Sequence, residues 1–338
     1  MTVKNQEYVL ASRPKGTPTA ENFRLVESEL PKLKDGQFLV RTLYVSVDPY
    51  MRGRMNDAKS YVPPFQLDEP IAGGAVGQVL ESHNASFQVG DIVSGTFHWA
   101  LYSVSDGRGV HKVNPALGPM TTSLGVLGMP GLTAYFGLLD IGNPKAGETV
   151  VVSGAAGAVG MTVGQIAKIY GCRVVGIAGS DEKLRILTEE MGFDAGVNYK
   201  TAPSLYKAIR EACPDGVDVY FDNVGGDVTD AVLANLNDNA RIPLCGQISL
   251  YNLDKMDVGP RNLSYVLIHR ALIKGFIVSD YARQFSEAFP KLGEWVKSGQ
   301  LKYRETVVEG FENIPNAFLG LFRGENIGKQ LAKVADAK

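Results

Sequence analysis

Seven residues constrain this chain more than any others: Gly154-Ala155-Ala156-Gly157-Ala158-Val159-Gly160, set between a run of β-branched residues and a helical pattern. The run Glu148 to Ser153 reads as a strand, and Val159, Val163, Ile166, Ala167 and Tyr170 share one helix face until Gly171 closes it. A strand that turns through glycines into a helix presents free N–H groups and the positive end of the helix dipole above the turn. Small residues let a phosphate approach that backbone, so the segment has the context that a dinucleotide-binding turn requires. Ala156 stands where one alignment of G-x-G-x-x-G would place the second glycine, and a tight turn without a ligand is the alternative.

The pattern then repeats. Strand Arg173 to Ala178 precedes a helix from about Glu182 to Met191. Val197 marks a further strand, and a helix entered at Pro203 carries Leu205, Ala208, Ile209 and Ala212. Strands Val217 to Phe221 and Ala240 to Cys245 follow. Strands alternating with helices imply crossover connections on a parallel sheet, hence an α/β, doubly wound Rossmann domain. Before it, strand candidates Phe38 to Val47, Ile71 to Leu80 and a third starting at Gly90-Asp91-Ile92-Val93 suit a small, irregular barrel. Gly73, Gly74 and Gly77 suggest bends or close backbone approach. The expected division is 1–127 for the barrel domain and 128–300 for the nucleotide domain. Residues 301–338, with a helix near Phe311 to Phe322 and a strand near Lys329 to Val334, would return to the first.

At 338 residues two domains are expected, because single cores stop growing near about 250–300 residues. With 34 basic against 36 acidic residues there is no charge excess to favour nucleic acid or an anionic membrane. No apolar run approaches the roughly 18 residues of a membrane helix, and Met1-Thr2-Val3-Lys4-Asn5 is no signal peptide, so a cytoplasmic enzyme is expected.

An NAD site places a carboxylate at the tip of the second strand to bind the adenosine ribose. Here that tip reads Ile177-Ala178-Gly179-Ser180, although Asp181 follows closely and leaves NAD open. Lys183 and Tyr199 are candidates for a 2′-phosphate and favour NADP(H). Cys245 and Gly246, at the end of a further strand, are candidate cofactor contacts by the same strand-end logic. The cysteines, Cys172, Cys213 and Cys245, are far apart, and His83, His98, His111 and His269 show no ligand spacing, so no metal site is expected. Hydride transfer without a Lewis acid suits a carbon–carbon double bond conjugated to a carbonyl, whose β-carbon is already electrophilic. Such a reaction asks for a neutral hydrogen-bond donor at the carbonyl oxygen, and Tyr50, after Asp48-Pro49, and Tyr251 are candidates.

Several stretches carry a resemblance over almost the whole chain. They include Val47-Asp48-Pro49-Tyr50-Met51-Arg52-Gly53, Gly128-Met129-Pro130-Gly131-Leu132-Thr133-Ala134-Tyr135, the glycine turn, Gly179-Ser180-Asp181-Glu182-Lys183, Phe221-Asp222-Asn223-Val224-Gly225-Gly226 and Gly275-Phe276-Ile277-Val278. The chain resembles the zinc-free branch of the medium-chain dehydrogenase/reductases, in the group of prostaglandin, plant 2-alkenal and bacterial curcumin reductases. Leu10-Ala11-Ser12-Arg13-Pro14 and Cys245-Gly246-Gln247-Ile248-Ser249-Leu250-Tyr251-Asn252 point within it to the curcumin reductases.

The resemblance implies a GroES-like β-barrel domain, NADPH as cofactor, reduction of enones or enals, and a homodimer. It assigns Lys183 and Tyr199 to the 2′-phosphate end and Thr133, Asn223, Tyr251, Phe276, Val278 and Asn326 to cofactor contacts, with Tyr50 and Tyr251 flanking the substrate. Where metal-dependent relatives carry Gly-His-Glu, this chain reads Ala72-Gly73-Gly74. Gln247 and Leu250 fall in a segment that varies within the group, which leaves the preferred substrate open. A quinone reductase of the same superfamily and a non-catalytic NADPH-binding protein are the alternative readings.

Overall fold

Short strands between turn glycines build the first part of the chain in a computed structural model that describes residues 4–338. Strands β1 (Lys4–Leu10) and β2 (Phe23–Glu29) form an antiparallel ribbon. Then come β3 (Phe38–Ser46), the single-turn helix α1 (Met51–Arg54), β4 (Ala72–Ser82), β5 (Ile92–His98), β6 (Tyr102–Ser105) and β7 (His111–Lys112).

A second compact unit, Gly125–Arg304, starts with α2 (Met129–Phe136), which runs into a π-helical turn at Gly137–Gly142. It continues as β8 (Thr149–Ser153), α3 (Ala158–Ile169), β9 (Arg173–Ala178), α4 (Asp181–Glu189), β10 (Ala195–Asn198) and α5 (Leu205–Ala212). After these come β11 (Val217–Phe221), α6 (Gly226–Leu233), β12 (Leu236–Leu244), α7 (Leu263–Ile268), β13 (Leu272–Gly275) and α8 (Phe285–Lys297). The last segment, β14 (Glu305–Glu309), α9 (Ile314–Arg323) and β15 (Lys329–Lys333), belongs to the same unit as residues 4–124.

In that first unit β15 pairs with β3, giving a seven-stranded sheet ordered β14-β15-β3-β4-β5-β7 with β6 also on β3. Isolated bridges from Glu7 to Ala100 and from Val9 to Pro70 tie on the ribbon. Phe38, Val40, Val79, Trp99 and Phe318 are buried in its core. The glycines of β4 serve close approach: a Cβ on Gly77 would lie 2.6 Å from the Arg41 carbonyl oxygen, opposite the register shift between Thr42 and Tyr44.

The second unit is a six-stranded sheet in the order β10-β9-β8-β11-β12-β13, every neighbouring pair parallel. This is the Rossmann order, and it reverses direction between β8 and β11, where a crevice opens beyond the strand ends. The strands are near-continuous β-branched runs because helices cover both faces: every residue of β8 is buried. Strands β9 and β11 match the sequence expectation, whereas β12 starts at Leu236 instead of Ala240 and ends at Leu244, one residue before Cys245. Its first residues, Asn237-Asp238-Asn239, carry no strand signal. Asn239 takes a positive φ of 61°, and the pairing with β11 shifts register there. Among the described residues no helix is long and apolar enough to cross a membrane.

Candidate active site

The glycine turn lies at the C-terminal end of β8. Gly154 takes a left-handed φ of 58°, which a β-carbon would strain, and Ala155 N–H donates to the Ile177 carbonyl at 3.1 Å, fastening the turn to β9. Gly157 is the N-cap of the twelve-residue α3, and no side chain caps that end. Two glycines here answer to different demands. A Cβ on Gly160 would sit 2.5 Å from the Gly154 carbonyl oxygen and 2.8 Å from the Ala155 Cα, so helix and turn pack in contact only because it is absent. A Cβ on Gly157 would meet only the Gly154 carbonyl oxygen, at 3.3 Å. Packing alone does not require glycine at 157; the missing side chain leaves room over the first-turn amides of Ala158, Val159 and Gly160. That cradle fits a pyrophosphate. Ala156 is buried within the turn.

Across the switch point, Asn223 follows the last residue of β11 by two. Its N–H donates to Ser153 Oγ (2.9 Å) and its Nδ2 to the Ser153 carbonyl (2.8 Å), so both strand ends hold it. A cleft of about 430 Å³ opens beyond β12 and β13, and its walls include Cys245, Gly246, Gln247, Tyr251, Phe276 and Asp280. The Tyr251 hydroxyl accepts from Gln247 N–H at 3.4 Å and comes so near Gly246 that a Cβ there would lie 3.1 Å from it. Burial, and then Asp222, push the Cys245 thiol up to about 12, which keeps it protonated. Phe276 packs edge-on to Phe221 with centroids 6.2 Å apart, and Val278 opens the short helical segment Val278–Gln284. Thr133, buried in α2, donates its hydroxyl to the Met129 carbonyl at 2.7 Å, leaving oxygen lone pairs as its offer to a ligand.

At the other end of the crevice, Ser180 caps α4 by accepting from Lys183 N–H at 3.3 Å. Burial and the neighbouring Lys200 hold the Lys183 ammonium below its usual range, as expected where two cations share a site that an anion would relieve. Tyr199 lies over Gly179, where a Cβ would be 2.9 Å from its hydroxyl oxygen. The Asp181 carboxylate, the candidate ribose acceptor of an NAD site, already accepts from Asn198 Nδ2 at 2.7 Å.

Tyr50 and Asn326 are in the first unit. Tyr50 follows a corner fixed by a buried ion pair: Lys329 Nζ donates to Asp48 Oδ1 and to the Val47 carbonyl, both at 2.9 Å, and Ser46 also bonds Asp48. Burial, and next the Asp48 charge, raise the Tyr50 hydroxyl well above the usual phenol range. Asn326 donates Nδ2 to the Gly328 carbonyl at 2.8 Å. Among the described residues no group of three or more His, Cys, Asp or Glu side chains converges as metal ligands would.

The structure adds residues that the sequence did not single out. Ser153 and Asp222 organise the strand ends, and Asp280 brings a carboxylate to the cleft. Gly137, in the π-helical turn, leaves room for Phe276: a Cβ there would overlap the edge of the Phe276 ring and lie 2.8 Å from Phe221. Helical spacing could not signal Gly137, since it serves contacts far away in sequence.

Residues 6–113 match the family described as N-terminal domain of oxidoreductase, and residues 158–298 the family described as zinc-binding dehydrogenase. The chain is 58% identical over 338 residues to YfmJ of Bacillus subtilis, named as an NADP-dependent oxidoreductase, covering 99% of each. It is 48% identical to the NADPH-dependent curcumin reductase of Escherichia coli, covering 98% of this chain and 97% of that one. The crystal structure of CurA in complex with NADPH from Vibrio vulnificus superposes with a TM-score of 0.94 at 46% identity, covering 98% and 99% of the two chains.

Proposed function

The chain belongs to the medium-chain dehydrogenase/reductases, in the group of the curcumin and prostaglandin reductases, and from that premise we propose a cytoplasmic, zinc-independent, NADPH-dependent reductase of carbon–carbon double bonds in α,β-unsaturated ketones and aldehydes. The observation that carries this reading is a pyrophosphate cradle at the switch point of a Rossmann sheet, with a cleft at the neighbouring strand ends walled mostly by neutral groups and one tyrosine.

NADPH, when bound, supplies the hydride that adds to the β-carbon of the substrate. The α3 amides and Gly157 hold its pyrophosphate, while Lys183, with Tyr199, meets the 2′-phosphate. Asn223, Cys245, Gly246, Phe276 and Val278, with Thr133, would hold the nicotinamide half, to which the family resemblance adds Asn326. Tyr251 donates a hydrogen bond to the carbonyl oxygen as enolate charge builds, and a phenol does so while staying neutral at pH 7. Tyr50 is the second candidate donor, since its raised hydroxyl keeps its proton throughout the physiological range. Water or one of these tyrosines protonates the α-carbon.

The test is a panel of enones, enals and quinones with NADPH and NADH side by side, with products identified. Saturated carbonyl products with NADPH are expected. Hydroquinones alone would favour a quinone reductase, and NADPH binding without turnover a non-catalytic protein.

A homodimer is part of the same proposal. Strand β13 is an edge of the parallel sheet, and Leu272 and Ile273 on it are exposed, as is Leu267 of α7 at 79%. An open strand edge with apolar neighbours favours pairing with a second copy. Leu267→Glu should shift sedimentation from dimer to monomer; a wild-type monomer would contradict the proposal.

A further inference from the structure

We propose that Asp222 is a positioning residue for the nicotinamide end of the cofactor site, a role that rests on the NADPH reading above. It follows β11 directly, at the switch point, and is fully buried. Its Oδ1 accepts from Ser153 Oγ (3.0 Å), Tyr220 Oη (2.8 Å) and the N–H groups of Val224 (2.9 Å) and Gly225 (3.0 Å). Its Oδ2 accepts from Thr229 Oγ1 at 2.7 Å. All five of these donors are neutral, and they come from β8, β11, the loop after β11 and α6. A buried carboxylate without a cation is costly unless donors surround it, and a carboxylate accepts at both oxygens where an amide accepts at one.

The backbone of the same residue does a second job. Asp222 N–H donates to the Pro243 carbonyl at 3.0 Å, and its own carbonyl accepts from Cys245 N–H (2.9 Å) and Gly246 N–H (3.0 Å). The Ser153 hydroxyl that donates to Asp222 is the one that accepts from Asn223 N–H. Asp222 therefore fixes Asn223 through Ser153, folds the 223–225 loop onto its own carboxylate, and turns the chain at 245–246 into the cleft wall. Five donors from its neighbours occupy a carboxylate that is fully buried, so it acts through those neighbours. The adenosine end, at Lys183 and Tyr199, hangs on β9 and β10 and takes no bond from it.

This separation defines the experiment. In Asp222→Asn the five bonds lose their charge assistance and the amide nitrogen faces Thr229 Oγ1, which must turn to accept instead of donating, so the loops that Asp222 organises loosen. Dissociation constants for NADPH, by fluorescence, and for 2′,5′-ADP, by calorimetry, should part: NADPH weakened tenfold or more, 2′,5′-ADP unchanged within twofold. At saturating NADPH, kcat should fall as well. Thr229→Val, which removes one donor and keeps the side-chain shape, should shift NADPH in the same direction by about threefold with 2′,5′-ADP unmoved. NADPH binding and kcat unchanged in both variants would overturn the proposal. So would equal loss of the two ligands in Asp222→Asn with Thr229→Val behaving as wild type, which would mark a purely structural role. Wild-type protein that fails to bind NADPH would instead overturn the functional reading on which this rests.

Discussion

Two glycines three residues apart in the cofactor turn should respond to the same substitution differently, one in stability as well as affinity and the other in affinity alone. In Gly160→Ala the new methyl would lie 2.5 Å from the Gly154 carbonyl oxygen and 2.8 Å from the Ala155 Cα. Ordinary contact begins at about 3.4 Å, so α3 must retreat from the turn by roughly 0.9 Å, and neither neighbour is a side chain that can swing away. Overpacking of this kind costs about 1–3 kcal/mol, and at about 2–4 °C per kcal/mol for a unit of this size the Tm should drop by about 2–12 °C. The amides move with the helix, so NADPH affinity should fall too. In Gly157→Ala the methyl meets one atom at 3.3 Å, and the backbone, at φ −83° and ψ 170°, suits any residue. Its Tm should stay within about 2 °C of wild type, yet the methyl occupies the space reserved for pyrophosphate, and the Kd for NADPH should rise by about tenfold or more, roughly 1.4 kcal/mol. Differential scanning fluorimetry and a fluorescence titration on the two variants suffice. Wild-type NADPH affinity in Gly157→Ala would refute the pyrophosphate cradle, and an unchanged Tm in Gly160→Ala would refute the contact between helix and turn.

Lys183→Ala should raise KM for NADPH by roughly 10- to 100-fold, the worth of a charge-assisted bond of about 1.5–3 kcal/mol, and leave KM for NADH unchanged; equal effects on both cofactors would remove Lys183 from the 2′-phosphate. Burial, followed by nearby charges, lifts Cys172 to about 11 and Cys245 to about 12, and burial lifts Cys213 to about 12, leaving under about one thiolate in a thousand at pH 7.5. An enzyme of conjugated carbonyls gains from this, since such compounds alkylate thiolates; native protein should resist N-ethylmaleimide and label fully once unfolded, and Cys245 labelled at the rate of a free thiol would contradict it. Burial raises the Glu305 carboxyl despite Thr121 and Lys329, and its Oε1 has no hydrogen-bond partner. Since the unfolded chain loses this proton at lower pH than the folded one, wild type loses stability as pH rises through the carboxylate range, so the Tm gain of Glu305→Gln should grow from pH 4 to 8; a constant difference would refute the shift.

The second unit was legible because its signals are local. A buried parallel strand is a β-branched run, and β9 and β11 begin and end where the sequence placed them. The glycine turn was legible for the same reason, since turn, strand and helix are contiguous. What stayed hidden depends on contacts between distant segments. The start of β12 is Leu236, paired with Val217, and Asn237-Asp238-Asn239 after it have poor strand propensity and span the register shift against β11. Gly137 looks like any helix glycine until Phe276 is seen beside it, and Asp222 looks like a turn residue until five donors converge on it. Helices α7 and α8 and strand β13 went unread because their apolar faces show only when the sheet edge and its neighbours are in place.

This protein moves hydride from NADPH to the β-carbon of a conjugated carbonyl. The most direct measurement is product analysis by NMR after turnover of an enone with NADPH deuterated at the transferable C4 position, run until the cofactor is consumed. A saturated ketone with one deuterium at the β-carbon, one molecule per NADPH oxidised, is the predicted result. An allylic alcohol carrying the label at the carbonyl carbon, or unconsumed NADPH across enones and enals, would contradict it.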